Sequence, residues 1–142
     1  MERELYVSKM KKIIFILLLA PIMISQSSAL SFTAANIATS ADGAYSVFAA
    51  DMDGDGDMDI LSASYNDDTI AWYENDGNAN PSFAAADIST SADGAWSVFA
   101  ADIDGDGDMD VLSASQADNT IAWYENDGSE AFAEHVITTT AA

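Results

Sequence analysis

Short apolar stretches separated by polar turns recur along the chain after residue 30. Each stretch has a length that suits a strand and is too short for a typical helix. The segments between them are rich in Asp, Asn, Gly and Ser, which favour turns. The pattern predicts an all-β chain, and in its first unit the predicted strands are 44–50, 60–65, 69–75 and 83–88.

The first predicted strand is apolar on both of its faces. Tyr45, Val47 and Ala49 alternate with Phe48 and Ala50. Because successive side chains of a strand point to opposite sides, we expect the first three residues to share one face and the other two to share the opposite face. A strand that is apolar on both sides is typically covered on both sides.

The strand pattern is repeated along the chain. Residues 31–77 align with residues 82–128 without a gap, and 38 of the 47 positions are identical. A period near 50 residues, with four short strands in each unit, is typical of propeller blades. The predicted fold is all-β, with two four-stranded antiparallel propeller-type blades plus the start of a third, and therefore a partial, unclosed β-propeller. We assign 30–81 to the first repeat, 82–131 to the second, and 132–142 to the truncated start of a third.

An acidic nine-residue segment occurs once in each repeat, at 51–59 and at 102–110. Asp occupies positions 1, 3, 5, 7 and 9 of each segment, and Gly occupies position 6, where a sharp turn is needed. Such carboxylates, with the backbone carbonyl of position 7, can converge on a calcium ion that takes about six to eight oxygen ligands. We expect one Ca²⁺ in each repeat, two in total. The predicted ligands are Asp51, Asp53, Asp55, Asp57 (through its carbonyl) and Asp59, and likewise Asp102, Asp104, Asp106, Asp108 (through its carbonyl) and Asp110.

Two other interpretations of the acidic segments are less well supported. A solvated or disordered acidic run would not keep a fixed order of Asp and Gly and then repeat it. An EF-hand requires a bidentate Glu at position 12, whereas Ser62 and Ser113 stand there. The residues that follow each loop have the pattern of a strand. A calcium loop between two strands is therefore the favoured interpretation.

The N-terminal region has the features of a secretory signal. All four basic residues, Arg3, Lys9, Lys11 and Lys12, precede an apolar stretch at 13–24. Small residues follow at 27–29, and we expect 1–29 to be a signal peptide that is removed. The apolar stretch is shorter than the roughly 20 residues that a membrane span needs, so an uncleaved anchor is the weaker alternative. Translation could start at Met1 or at Met10.

Charge and cysteine content limit the classes of partner. The chain has 24 acidic and 4 basic residues and no Cys, so neither disulfides nor a lipid-modified cysteine are available. Removal of 1–29 would leave 22 acidic and no basic residues, a formal charge of −22. Nucleic acids and anionic membranes are poor partners for such a chain, because both are bound through Lys and Arg. We expect a secreted or cell-surface protein whose main partner is calcium, with no membrane insertion after cleavage.

The residues 47–61, VFAADMDGDGDMDIL, and 70–77, IAWYENDG, resemble the FG-GAP and VCBS repeat family, the units of integrin-alpha-like β-propellers. Residues 98–112 and 121–128 repeat the resemblance. It implies a calcium-binding propeller blade in a secreted or surface protein that acts in adhesion or in contact with carbohydrate or protein ligands. Family propellers close with about seven such repeats. This sequence carries two and a fragment, which leaves two blade faces uncovered, and we expect instability in isolation or self-association.

Candidate side chains for chemistry are few. Trp72-Tyr73 and Trp123-Tyr124 could stack on sugar rings, but repeated strand aromatics are more typical of a blade core. His135 has no accompanying Cys or Ser-His-Asp order and is expected to be solvent-exposed. The leading interpretation is therefore a non-catalytic binding module. The alternatives are a non-catalytic portion of a calcium-dependent carbohydrate-active propeller enzyme and a truncated product without independent function.

Overall fold

A computed structural model describes residues 34–141 of the chain, and these form eight strands. The strands are β1 (Ala44–Ala50), β2 (Asp59–Ser64), β3 (Thr69–Asn75), β4 (Phe83–Ser89), β5 (Ala95–Ala101), β6 (Asp110–Ser115), β7 (Thr120–Asn126) and β8 (Phe132–Thr138). Within this part of the chain there is no helix with the length and apolarity to cross a membrane. The predicted signal peptide at 1–29 lies outside the described residues.

The strands form two separate four-stranded antiparallel sheets. Their orders are β1-β2-β3-β4 and β5-β6-β7-β8, so that each sheet is a simple meander. We call them blade 1 and blade 2. The predicted all-β fold of two four-stranded blades is confirmed, and the arrangement is consistent with an unclosed propeller. The stretch 132–142, predicted as the start of a third repeat, contributes β8, the fourth strand of blade 2.

The predicted strand boundaries are close to those observed. β1 and β3 match the predicted residues, and β4 extends one residue further. β2 starts at Asp59 and ends at Ser64, one residue before the predicted 60–65 at each end. Asp59 pairs with Ala50 across the hairpin, which the local pattern of apolar residues does not indicate.

The prediction that Tyr45 shares a face with Val47 is wrong. Ala44 pairs with Ser64 and Ser46 with Ala63, so Tyr45 is the extra residue of a β-bulge. A bulge re-aims the side chain of the inserted residue and breaks the alternation of faces. Tyr45 therefore stacks on Trp96 of blade 2, whereas Val47 lies on the opposite side of β1 and is exposed. The same bulge recurs in blade 2 between Ala95 and Ser97.

The hydrophobic core lies between the two blades. β5 packs against β1 and β2, so the inner strand of blade 2 lies on the face of blade 1 that carries Phe48, Leu61, Ala63, Ile70 and Trp72. We call this side of each blade its front face. The opposite side is the back face, and in blade 2 it carries Val98, Ala100, Val111, Ala122 and Tyr124. The front face of blade 1 thus packs on the back face of blade 2. Each inner strand is covered on one side, and not on both as the apolar pattern predicts.

Candidate metal centre

The two acidic segments are the hairpin loops between the first and second strands of the blades. In blade 1, Ala50 and Asp59 are paired at the end of the β1–β2 ladder, which brings the two ends of the loop together. Ala101 and Asp110 are paired in the same way in blade 2. Antiparallel pairing thus closes each nine-residue segment into a compact turn.

Three carboxylates converge in each loop. In loop 1, one carboxylate oxygen each from Asp51, Asp53 and Asp55 lie within 4.8 Å of one another. In loop 2 the same holds for Asp102, Asp104 and Asp106. Three hard oxygen donors at this spacing can share one divalent cation, and oxygen ligands are those that calcium prefers. These six residues are among the predicted ligands.

Backbone amides of loop 1 orient its carboxylates. Asp51 accepts hydrogen bonds from Gly54 at 2.8 Å and from Gly56 at 3.1 Å, one at each oxygen. Asp53 accepts a hydrogen bond from the Asp55 amide at 3.1 Å, and Asp55 accepts one from the Asp57 amide at 2.8 Å. Each carboxylate keeps free lone pairs, because an ionised carboxylate offers about four acceptor positions.

Loop 2 repeats three of these four hydrogen bonds with nearly the same distances. Asp102 accepts a hydrogen bond from Gly105 at 2.7 Å, and Asp104 accepts one from Asp106 at 3.1 Å. The Asp108 amide donates to Asp106 at 2.9 Å. The two loops, which occupy equivalent positions in their blades, thus share most of this arrangement.

Two glycines in each loop adopt positive φ. Gly56 has a φ of 97° and Gly107 a φ of 106°, at the position where the sequence predicts a sharp turn. Gly54 and Gly105, at position 4, also have positive φ, at 76° and 84°. The role of these two was not predicted. The signal was nevertheless available, because Gly adopts such angles without the steric penalty that other residues meet.

Asp59 and Asp110 are buried below the loops. Asp59 is 1% exposed. One of its oxygens accepts a hydrogen bond from the Met52 amide at 3.0 Å and the other accepts one from Asn75 at 2.8 Å. In the same way, the two oxygens of Asp110 accept hydrogen bonds from the Ile103 and Asn126 amides. These carboxylates join the loop to the third strand, and they are not among the three carboxylates that converge in each loop.

Asp57 and Asp108 are not among the three carboxylates that converge in their loops. The Asp57 carboxylate lies against Gly77 and the Asp108 carboxylate against Gly128, so closely that a Cβ atom on either glycine would clash. The expectation that position 7 would offer an ion its backbone carbonyl and not its side chain stays a prediction.

Electrostatic repulsion is concentrated in the loops. Desolvation raises the pKa of the Asp53 carboxyl, and the charges of Asp55, Asp59 and Asp51 act in the same direction. In loop 2, a hydrogen bond from the Asp106 amide acts to lower the pKa of Asp104. Desolvation and the neighbouring charges outweigh it and raise that pKa. Residues 34–141 contain no Lys or Arg to offset these charges. A bound divalent cation would supply the missing positive charge.

Glu74 is a nearby acidic residue that the sequence pattern did not single out. Desolvation raises its pKa, with further contributions from the charges of Glu130, Asp53, Asp59 and Asp55. Glu74 therefore lies within electrostatic range of loop 1. Its counterpart Glu125 acts on Asp104 of loop 2. Both occupy the third strand, which no local feature of the loop sequence connects to the site.

Three of the four aromatic candidates are buried, and Tyr124 of blade 2 is one of them. Trp72 and Tyr73 are buried, in agreement with a role in the blade core. Trp123 is only partly buried, and the imidazole of His135 stacks on it with ring centroids 4.7 Å apart. His135 is exposed, as predicted, and its Nε2 lies 2.7 Å from a carboxylate oxygen of Glu125.

Comparison with known proteins identifies a family for most of the sequence. The family model described as FG-GAP-like repeat matches residues 22–62, 51–113 and 102–142, three overlapping segments that together cover everything after residue 21. Each match contains at least one acidic loop. Neither the curated proteins nor the solved structures give a significant match.

Proposed function

The chain belongs to the FG-GAP-like repeat family, and we propose that it is a non-catalytic binding module in which each acidic loop holds one calcium ion. The observation that carries this proposal is the convergence of three carboxylates within 4.8 Å in both loops. No Lys or Arg is present in residues 34–141 to neutralise them. Clustered acidic groups without a cation repel one another, and this repulsion favours the binding of a divalent ion.

The ligands in loop 1 would be the carboxylates of Asp51, Asp53 and Asp55, the carbonyl of Asp57, and a free lone pair of Asp59. Loop 2 supplies the equivalent set. Water or Glu74 would complete the coordination, since calcium takes about six to eight oxygens. The amide hydrogen bonds described above already hold the carboxylates in place, so the ion adds to a turn that the backbone defines.

The ion would act on structure and not on a reaction. It would hold the ends of β1 and β2 together and remove the repulsion within the loop. A site assembled only by folding adds its binding free energy to stability. We infer a secreted or cell-surface location from the N-terminal sequence, and an extracellular glycan or protein as the ligand of the module.

Calcium titration of the purified chain by calorimetry tests this proposal, with Asp53→Asn as the first variant. Asn keeps the oxygen that accepts the Asp55 amide and removes the charge. The expected stoichiometry is two ions for the parent chain, one for Asp53→Asn, and none for Asp53→Asn combined with Asp104→Asn.

Asp87→Asn is the matched control, because Asp87 is an exposed residue in β4, away from both loops. It removes the same charge and should leave both sites intact. Loss of a site in this control, or no binding by the parent chain, would contradict the proposal.

A further inference from the structure

Equivalent residues of the two blades differ in exposure although their sequences are nearly the same. Val47 in β1 is 71% exposed, whereas Val98 at the same position of β5 is 4% exposed. Met52 is 3% exposed, whereas its counterpart Ile103 is 45% exposed. The cause is the packing of the front face of blade 1 on the back face of blade 2. Within residues 34–141, Val47 on the back face of blade 1 and Trp96 and Phe99 of blade 2 are therefore exposed, whereas Ala71 and Tyr73 on the back face of β3 are buried.

Contacts across the blade interface join like residues of the two repeats. The rings of Phe48 and Phe99 lie 4.6 Å apart, and Tyr45 stacks on Trp96 at 4.4 Å. Trp96 and Phe99 occupy in blade 2 the positions that Tyr45 and Phe48 occupy in blade 1. Both are about half exposed. They can therefore contact a further blade in the way that Tyr45 and Phe48 contact blade 2.

The open front face of blade 2 contains an apolar cavity of about 280 Å³. Ala114, Thr120 and Ile121 line it, together with Trp96. In blade 1 the counterparts Ala63 and Ile70 are completely buried, because the inner strand of blade 2 packs near them. The cavity is thus the place where the inner strand of a next blade would lie.

The exposed part of the back face of blade 1, around Val47, is the matching surface. Val47, Ile60 and Tyr73 line a second cavity, of about 250 Å³, together with residues 35–38. Their counterparts in blade 2, Val98, Val111 and Tyr124, are buried against blade 1. Val47 thus has the side chain and the position that Val98 uses in the existing interface.

We propose that the two open faces bind each other between copies of this chain, the front face of blade 2 of one copy against the back face of blade 1 of a second. Trp96 and Phe99 of the first copy then contact Tyr45 and Phe48 of the second copy, and Val47 of the second copy lies where Val98 does in the existing interface. The two surfaces differ, so the contact is heterologous and leaves one open face at each end of the pair. Further copies can add until the ring closes.

The outer strands extend the same interface. Phe132, the first residue of β8, packs edge-on against Trp72 of blade 1, with ring centroids 6.3 Å apart. Phe83 is likewise the first residue of β4, and it would pack against Trp123 of another copy. The two blades differ at one position of the outer strand. His135 pairs with Trp123 in blade 2, whereas Ala86 pairs with Trp72 in blade 1.

Net charge sets the conditions under which the contact forms. The formal charge of −20 makes the copies repel one another. Salt screens such repulsion, since the Debye length falls to a few ångströms near 1 M ionic strength. Association is therefore expected to be strongest in calcium with added sodium chloride, and to weaken as the salt concentration falls.

Sedimentation velocity of the purified chain in calcium and salt tests the proposal, at about 100 μM, where an interface of even modest affinity is populated. The parent chain is expected to form species larger than two copies. Val47→Asp on the back face and Ala114→Asp on the front face should each weaken association about tenfold or more, because each buries an unpaired carboxylate in the contact. Val136→Asp is the control. Val136 is exposed on β8, and Asp87 already stands at its position in β4.

A mixture of the two variants distinguishes this interface from any symmetric one. Val47→Asp keeps a normal front face and Ala114→Asp keeps a normal back face, so an equimolar mixture should form complexes of two copies and nothing larger. Circular dichroism checks that each variant is folded, and calorimetry checks calcium binding separately, so a failure of the calcium proposal is seen on its own. A folded parent chain that stays monomeric, a mixture without the complex, or a Val136→Asp variant as impaired as Val47→Asp would overturn the proposal.

Discussion

At the scale of single residues, the carboxylates of each loop have different roles despite their identical chemistry. Asp51, Asp53 and Asp55 converge at the surface, where an ion can reach them. Asp59 lies underneath and uses both oxygens to accept backbone amides of the loop and of β3. We therefore expect the first three to contribute mainly to ion binding, and Asp59 to contribute mainly to the stability of the fold.

Asp59→Asn is expected to destabilise the fold even without calcium. In the parent chain the two Asp59 oxygens accept hydrogen bonds from the Met52 and Asn75 amides. Asn has a single carbonyl oxygen, so one of these two N–H groups would lose its acceptor and face the NH₂ group of the Asn side chain. The cost of leaving such a buried donor unsatisfied is about 1–3 kcal/mol. Urea unfolding in chelator, with sulfate added to favour the folded state, measures it. Asp53→Asn is the control, since it removes a repelling charge and should cost little under these conditions. Equal losses in the two variants would contradict the division of roles.

Asp76 is expected to titrate well below the ordinary range of an aspartate. Hydrogen bonds from the side chains of Ser82 and Asn78 and from their amides lower its pKa. A group with a lowered pKa in the folded state stabilises the protein above its unfolded pKa, and this contribution is lost as the pH falls through the folded pKa. Ser82→Ala should raise the pKa of Asp76 toward its ordinary value. Carboxyl NMR titration measures this shift, and an unchanged value would contradict the assigned cause.

At the scale of elements, the meander of each blade was predictable because its strands carry local signals. The turn residues at 66–68 and 76–81 and the apolar stretches between them set the bounds of β3. The bulge at Tyr45 was not predictable in this way, because it depends on the pairing of β1 with β2. The same holds for the site. The spacing of its Asp residues identified the loops, whereas the burial of Asp59 and the electrostatic coupling of Glu74 to loop 1 depend on strands distant in sequence.

Asn126 is expected to contribute more to stability than its counterpart Asn75. The Asn126 side chain donates hydrogen bonds to the Met52 and Met109 carbonyls, both at 3.2 Å, and so joins blade 2 to loop 1. Asn75 donates to the Met58 carbonyl within its own blade. Asn126→Ala should therefore lower the free energy of unfolding by about 1–2 kcal/mol more than Asn75→Ala, because it removes the donor from a buried hydrogen bond to Met52 and from a part-buried one to Met109. Chemical denaturation compares the variants. An equal or larger loss in Asn75→Ala would contradict this role for Asn126.

At the scale of the whole molecule, two blades share one apolar interface, and in each blade an acidic loop connects the first two strands. The interface supplies the burial that a single sheet lacks, as expected for repeat units that stabilise their neighbours. The loops oppose folding, because each brings several carboxylates together and residues 34–141 contain no Lys or Arg to offset their charge. A divalent ion bound in each loop would offset this repulsion. We therefore expect calcium binding and folding to be coupled.

Thermal unfolding of the purified chain, in calcium and in excess chelator, tests this coupling most directly. Binding to the folded state stabilises it by about 2.7 kcal/mol for each site when the free ion is at about 100 times its dissociation constant. We therefore expect a higher melting temperature in calcium, a smaller increase for Asp53→Asn, and no increase when Asp53→Asn and Asp104→Asn are combined. The same melting temperature for the parent chain in calcium and in chelator would contradict the account.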